Sequence, residues 1–246
     1  MHNKTYWWLK HVFIGPLLWV YNRPFTRGVK TIPETGPVLL ASNHLAVMDS
    51  FFLPLVCKRQ LTFLAKKEYF TTPGLVGGIQ KWFFSSVGQV PLDRDDKDAQ
   101  RAALKTAKGI LAKGDALGMY PEGTRSPDGR LYRGKTGLAR IAMETSVPVY
   151  PVAMINTNKV NPINTWVPRP FRCGVAVGKP IDPAGYQNTG DDFAAAREMT
   201  DRIMSAIAAL SGQEYVAGFY AADVKKSLNE GKGYPPGTEP GAVTAR

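Results

Sequence analysis

Residues 98–154, DAQRAALKTAKGILAKGDALGMYPEGTRSPDGRLYRGKTGLARIAMETSVPVYPVAM, carry the pattern that decides the fold. Asp98–Lys113 reads as a helix closed by Gly114 at its C-terminus. Ala116–Tyr120 is an apolar strand running into a polar turn, residues 133–144 form a second helix, and Val147–Met154 is a buried strand. The same alternation extends in both directions. Upstream, Val38–Ala41 is a strand, a helix covers about Ser50 to Val56, and Leu61–Leu64 and Val87–Leu92 are further strands. Downstream, Cys173–Val177 is a strand, and Phe193, Met199, Ile203, Ile207 and Leu210 mark a late helix. Strands alternating with helices predict an α/β layered domain, with a central, mostly parallel sheet flanked by helices.

The chain has 246 residues, 44% of them hydrophobic and 21% charged, which suits one domain with a substantial core. Three regions are expected. Residues 1–27 form an N-terminal amphipathic membrane-anchoring segment, residues 28–228 the α/β domain, and residues 229–246, rich in Gly and Pro, a disordered tail.

Lysine and arginine exceed aspartate and glutamate by 31 to 20, a formal charge of +11. That excess suits anionic lipid, phosphorylated substrates and carriers, or nucleic acid. Without zinc-finger spacing, an RNP-type motif or a helix-turn-helix, no nucleic-acid partner is expected. Cys57 and Cys173 stand far apart in apolar surroundings, as inert buried thiols of a cytoplasmic protein do. With His2 and His11 in the N-terminal segment, His44 is the only histidine in the body. Histidine-rich metal sites are thereby excluded, and no metal site is expected.

No stretch longer than 14 residues lacks a charge, so no bilayer-spanning helix is expected. Residues 1–30 nevertheless mix Trp7, Trp8, Trp19 and other aromatics with five basic residues, and the first acidic residue is Glu34. Trp8, Leu9, Val12, Phe13, Pro16, Leu17, Val20 and Tyr21 recur at helical spacing on one apolar face. Gly15-Pro16 should kink or divide that helix. A basic, tryptophan-rich amphipathic helix suits an in-plane membrane anchor; the competing reading is a helix that simply packs on the core.

The segment SNHLAVMDS puts an imidazole and a carboxylate five residues apart where a strand gives way to a helix. Folded back, Asp49 can accept a hydrogen bond from one ring nitrogen of His44 and leave the other as a base. Taken alone, the pair reads more readily as an N-cap aspartate and a hydrogen-bonded loop histidine. Further blocks follow in order: VGQVPLDR with Arg94, YPEGTRS with Glu122, Gly123, Thr124 and Arg125, and VPVYPVAM.

With these blocks at Asn43–Asp49, Gly88–Arg94, Pro121–Ser126 and Val147–Val152, the sequence resembles the glycerolipid acyltransferase family over roughly residues 28–182. The likeness is to its bacterial 1-acylglycerol-3-phosphate acyltransferases. The resemblance implies a membrane-associated O-acyltransferase that converts 1-acylglycerol 3-phosphate to phosphatidic acid. His44 is then the general base and Asp49 its orienting partner. Arg94, Gly123, Thr124 and Arg125 hold the glycerol phosphate, and Glu122 meets a glycerol hydroxyl or holds the loop. No cofactor is implied; an acyl-CoA or acyl-carrier-protein thioester is the co-substrate. Membrane lipids are partners, and the protein sits on the cytoplasmic side of the cell membrane as a peripheral or monotopic enzyme.

The same chemistry fits other acceptors: glycerol 3-phosphate, another lysophospholipid, a glycolipid or an amino-acid lipid. Gly129–Thr136 also matches the P-loop pattern GxxxxGK[ST], but no buried strand leads directly into it, as a phosphate-binding loop requires. Arg101, Lys105 and Lys108 form a basic stripe that suits a solvated helix face or an acidic carrier.

Overall fold

The computed structural model describes residues 4–74, 77–78, 81–82, 85, 88–92, 99–165, 167–187 and 190–241. The helices in chain order are α1 (Lys4–Trp8), α2 (Ile14–Asn22), α3 (Asp49–Val56), α4 (Glu68–Thr71), α5 (Ala99–Ala112), α6 (Gly137–Thr145), α7 (Thr157–Val160), α8 (Asp192–Ser211) and α9 (Ala221–Asn229). The strands are β1 (Phe25–Arg27), β2 (Val38–Ser42), β3 (Leu61–Lys66), β4 (Val90–Leu92), β5 (Ala116–Met119), β6 (Leu131–Tyr132), β7 (Val149–Ile155), β8 (Gly174–Val177) and β9 (Tyr215–Val216). Seven of them form one sheet in the order β1-β8-β7-β2-β5-β3-β4. Every neighbouring pair is parallel except β7 with β8. The expected mostly parallel α/β sheet is thus the observed one.

Strand β2 shows why the central strands read as unbroken apolar runs. Leu39 and Ala41 enter the core on one face, with Met199, Ile203 and Ile207 of α8. Val38 and Leu40 enter the core on the other, with Phe52 and Leu53 of α3. Side chains alternate faces along a strand, and both faces here are covered. Each fully buried leucine contributes about 2 kcal/mol of transfer free energy.

The parallel strands β2, β5 and β7 all end at one edge of the sheet. Their C-terminal loops carry His44, Glu122 and Asn156 respectively. Ligand sites of parallel α/β sheets form at this edge. The reversal at β8 matters as well: β1, parallel to β8, begins at the same edge, so the end of α2 arrives beside these loops.

The N-terminal segment is helical but not uniformly so. A π-helical stretch, Leu9–Phe13, separates α1 from α2 immediately before Gly15-Pro16. Proline at position 16 cannot donate to the preceding turn, and the π stretch absorbs that mismatch. The predicted apolar face is exposed at Trp8, Val12, Phe13, Pro16, Leu17, Val20 and Tyr21, whereas Leu9 is half-buried. A second face, with Tyr6, Gly15 and Leu18, is buried against the body. The core-packing reading thus describes one face of the segment, and the other leaves its apolar side chains exposed. Among the described residues, no helix is long and apolar enough to cross a membrane.

Two expectations need correction. The helix expected from residue 133 begins at Gly137, because Leu131–Tyr132 pairs with Tyr215–Val216 as a small parallel sheet and Lys135 N donates to Pro121 O (2.8 Å). The tail expected to be disordered from residue 229 instead packs on the body as far as Gly241. Thr238 is fully buried and its carbonyl accepts from Arg130. A side-chain contact of this kind leaves no compositional mark in a Gly/Pro-rich segment.

Candidate functional site

Beyond Ser42 the backbone leaves β2, and Asn43 keeps it tied to β7. Its side chain donates to Met154 O (3.0 Å) and accepts from Met154 N (2.6 Å), as a further strand residue would. His44 follows. Its Nδ1 lies 2.9 Å from Asp49 Oδ2, and the same oxygen accepts from Leu45 N (2.6 Å) and Ala46 N (2.9 Å). With two backbone donors already on it, this oxygen is an acceptor, so the proton of the third bond belongs to Nδ1. Nε2 keeps its lone pair. Asp49 is fully buried and is itself the first residue of α3. It therefore reaches back into the loop rather than capping the helix, which sets aside the N-cap alternative.

Tyr120, at the end of β5, stacks its ring on the His44 imidazole with centroids 3.9 Å apart and planes 10° from parallel. Its hydroxyl lies 3.1 Å from Ser50 Oγ. Burial, with the Asp49 charge adding to it, pushes the phenol well above its usual range. The ring is therefore a neutral platform that fixes the plane of the imidazole. Nothing in the spacing of the sequence marked this tyrosine.

The turn after Tyr120 is built around Glu122, which is buried. Oε2 accepts from His44 N (3.1 Å) and Oε1 from Tyr132 N (3.0 Å). Ser126 N donates to His44 O (2.8 Å) and completes the tie between the two loops. Burial raises the Glu122 carboxyl to about 8, against the pull of the two backbone donors. Of the two roles expected for Glu122, holding the loop is the one its contacts display. Gly123 closes the turn through its N–H to Tyr120 O (3.0 Å) at φ +73°. A Cβ there would be strained and would press on the Lys135 side chain at 3.3 Å. Lys135 is thereby a second cation beside the turn. Thr124 and Arg125 are half-buried, and no hydrogen bond or ion pair engages Arg125 among the described residues. Arg94 lies outside the described residues.

The far side of this loop is gripped by the C-terminal part of the chain. Arg130 donates from Nε to Asp128 (2.8 Å) and reaches Glu214 Oε1 at 3.3 Å. Its guanidinium lies over Tyr132 and Tyr234, 5.6 and 5.2 Å from the ring centroids. Gln213 accepts from Asn43 (2.6 Å) and donates to Gly129 O (2.6 Å), bridging the His44 loop to the turn. This also disposes of the P-loop reading. Leu131 and Tyr132 of Gly129–Thr136 are buried in a strand, and a Cβ on Gly134 would meet Met204 at 2.9 Å. No open phosphate cradle exists there.

A carboxylate-oriented imidazole, with a cationic turn beside it, can take the proton from a hydroxyl whose molecule carries an anionic group. The family model described as Acyltransferase matches residues 23–155. The chain belongs to the acyltransferase family. Similar proteins include a chloroplastic 1-acyl-sn-glycerol-3-phosphate acyltransferase of Brassica napus, 34% identical over 158 residues, which are 62% of this chain and 44% of that protein. Its counterpart in Arabidopsis thaliana is 35% identical over 136 residues, 55% of this chain and 36% of that protein. The chain thus spans less than half the length of these plant acyltransferases. A Helicobacter pylori protein of the same description is 28% identical over 128 residues, 52% of each chain. Among solved structures, the 1-acyl-sn-glycerophosphate acyltransferase of Thermotoga maritima superimposes with a TM-score of 0.58 at 27% identity, covering 78% of this chain and 75% of that one. The acyltransferase match contains His44, Asp49 and Glu122–Arg125 and stops at the end of β7. The C-terminal grip on Arg130 lies outside it.

Proposed function

We propose that the protein transfers a fatty-acyl group from an acyl thioester to the free hydroxyl of 1-acylglycerol 3-phosphate, giving phosphatidic acid. The observation that carries this reading is the 2.9 Å contact from His44 Nδ1 to buried Asp49, which leaves Nε2 as a base. The activity for which the similar proteins are named supports the acceptor. As the acceptor hydroxyl attacks the thioester carbonyl carbon, Nε2 takes its proton, and the negative charge passes to the carbonyl oxygen. Collapse breaks the C–S bond, and the sulfur leaves with the electron pair. A thiol of pKa roughly 8.5 departs without strong acid help, and the imidazolium returns the proton. A general base of this kind contributes about 10²–10⁴-fold.

Arg125 and Arg94 suit the phosphate because a guanidinium makes paired, charge-assisted hydrogen bonds to its oxygens. Thr124 completes that cradle with its hydroxyl group, Gly123 gives the tight turn that brings it there, and Glu122 holds its shape. The thioester is carried by coenzyme A or by acyl carrier protein. The exposed tryptophan-rich face of α1 and α2 supports peripheral or monotopic attachment to a membrane, where a lysolipid resides.

The test is to incubate the protein with acyl-CoA and mixed lysolipids in detergent and identify the products by mass spectrometry. Phosphatidic acid should form with the wild type and fall at least about 100-fold with His44→Ala. Equal product from both proteins would sink the mechanism; product only from an acceptor without phosphate would sink the substrate.

A further inference from the structure

The loop between α7 and β8, described at residues 161–165 and 167–172, exposes apolar side chains beside cationic ones. Val167 is 75% exposed, Phe171 48% and Ile163 36%, and between them stand the exposed Arg169 and Arg172. No acidic residue occurs anywhere from Thr145 to Ile181, as none occurs before Glu34. These two acid-free parts of the chain meet in space. Asn22, at the end of α2 and fully buried, donates to Arg169 O (2.8 Å) and Phe171 O (3.1 Å), while Tyr21 donates to Pro168 O (3.1 Å). The topology puts both at the sheet edge that carries His44, because the loop follows β7 and α2 precedes β1.

We infer that residues 161–165 and 167–172 form a second bilayer-contacting element, locked to α2 through Asn22, which sets the reactive edge of the sheet against an anionic membrane. Apolar side chains flanked by Arg169 and Arg172, in stretches of sequence without carboxylates, match an anionic interface: rings and methyls enter the acyl boundary and guanidinium groups meet the head groups. Continuity with the exposed face of α2 extends that surface across two elements. Two contacts fix an orientation that one helix lying in the plane leaves free to roll. The inference rests on the membrane attachment proposed above.

Vesicles of phosphatidylcholine with phosphatidylglycerol, and of phosphatidylcholine alone, distinguish the possibilities by flotation. The double variant Val167→Asp/Phe171→Asp should bind the anionic vesicles about tenfold less than wild type, on the scale of burying one apolar side chain. Its thermal midpoint and its activity on substrate in detergent micelles should stay at the wild-type level. Arg169→Gln/Arg172→Gln should lose binding to the anionic vesicles alone. Leu17→Asp serves as the anchor control. If Leu17→Asp detaches the protein while the loop variants bind like wild type, the anchor stands and the inference is overturned. Wild type that fails to float with either vesicle overturns both.

Discussion

Asp49 Oδ2 holds three donors at once, and that crowding decides what a substitution does. Asp49→Asn keeps the volume but supplies only one acceptor oxygen. If that oxygen takes the place of Oδ2, it keeps the His44, Leu45 and Ala46 donors, but as a neutral amide it no longer stabilises the imidazolium that forms when Nε2 takes a proton. The base is then weakened, and kcat should fall by about 10²-fold or more with a far smaller change in KM, measured by steady-state acylation. Glu122 predicts a pH effect instead. Its carboxyl moves from the ordinary 4.5 to about 8 in the fold because of burial. The folded state therefore holds this proton more tightly than the unfolded one. The associated stability is full below the unfolded value and disappears as pH rises through 8, at up to about 1.4 kcal/mol per pH unit. Glu122→Gln removes the titration. Urea unfolding at pH 5.5 and 7.5 should show wild type losing about 2 kcal/mol relative to the variant, whereas parallel losses would contradict the assignment. At this scale much of the site was legible: His44, Asp49 and Glu122–Arg125 sit in recognisable blocks. Tyr120, Arg130 and Gln213 were not, because their partners lie 76, 108 and 170 residues away and no local pattern encodes such a contact.

Among the elements, the strands buried on both faces were readable from their apolar runs, and α5 and α8 from their helical spacing. The two- and three-residue strands β1, β6 and β9 were not, since so short a segment carries no period. β6 and β9 exist because tertiary contacts hold them together. Residues 230–241 finish that assembly through the Thr238 carbonyl and the Tyr234 ring on Arg130. Deleting residues 233–246 should therefore cost about 1–3 kcal/mol, the scale for a buried polar group losing a partner, read from the denaturation midpoint. Arg130→Met should cost less in the shortened chain than in the full one, because the two changes remove the same contacts. Additive losses would show that the tail stabilises the fold by another route.

For the molecule as a whole, the charge of +11 is a statement about partners rather than about folding. Raising salt from about 0.05 to 0.5 M shortens the screening length from roughly 14 Å to about 4 Å. Attachment to anionic vesicles should weaken over that range, and attachment to neutral vesicles should not; equal behaviour would mean that apolar contact alone holds the protein. The small sheet joining Leu131 to Tyr215 has a different kind of consequence, one of timing. During synthesis the His44–Asp49 pair emerges early, and so do most of the strands that support it. The turn that would receive the acceptor can take its final shape only after β9 and Thr238 have left the ribosome. A nascent chain that has exposed the pair but not yet Thr238 therefore carries the imidazole and its carboxylate without the finished turn beside them.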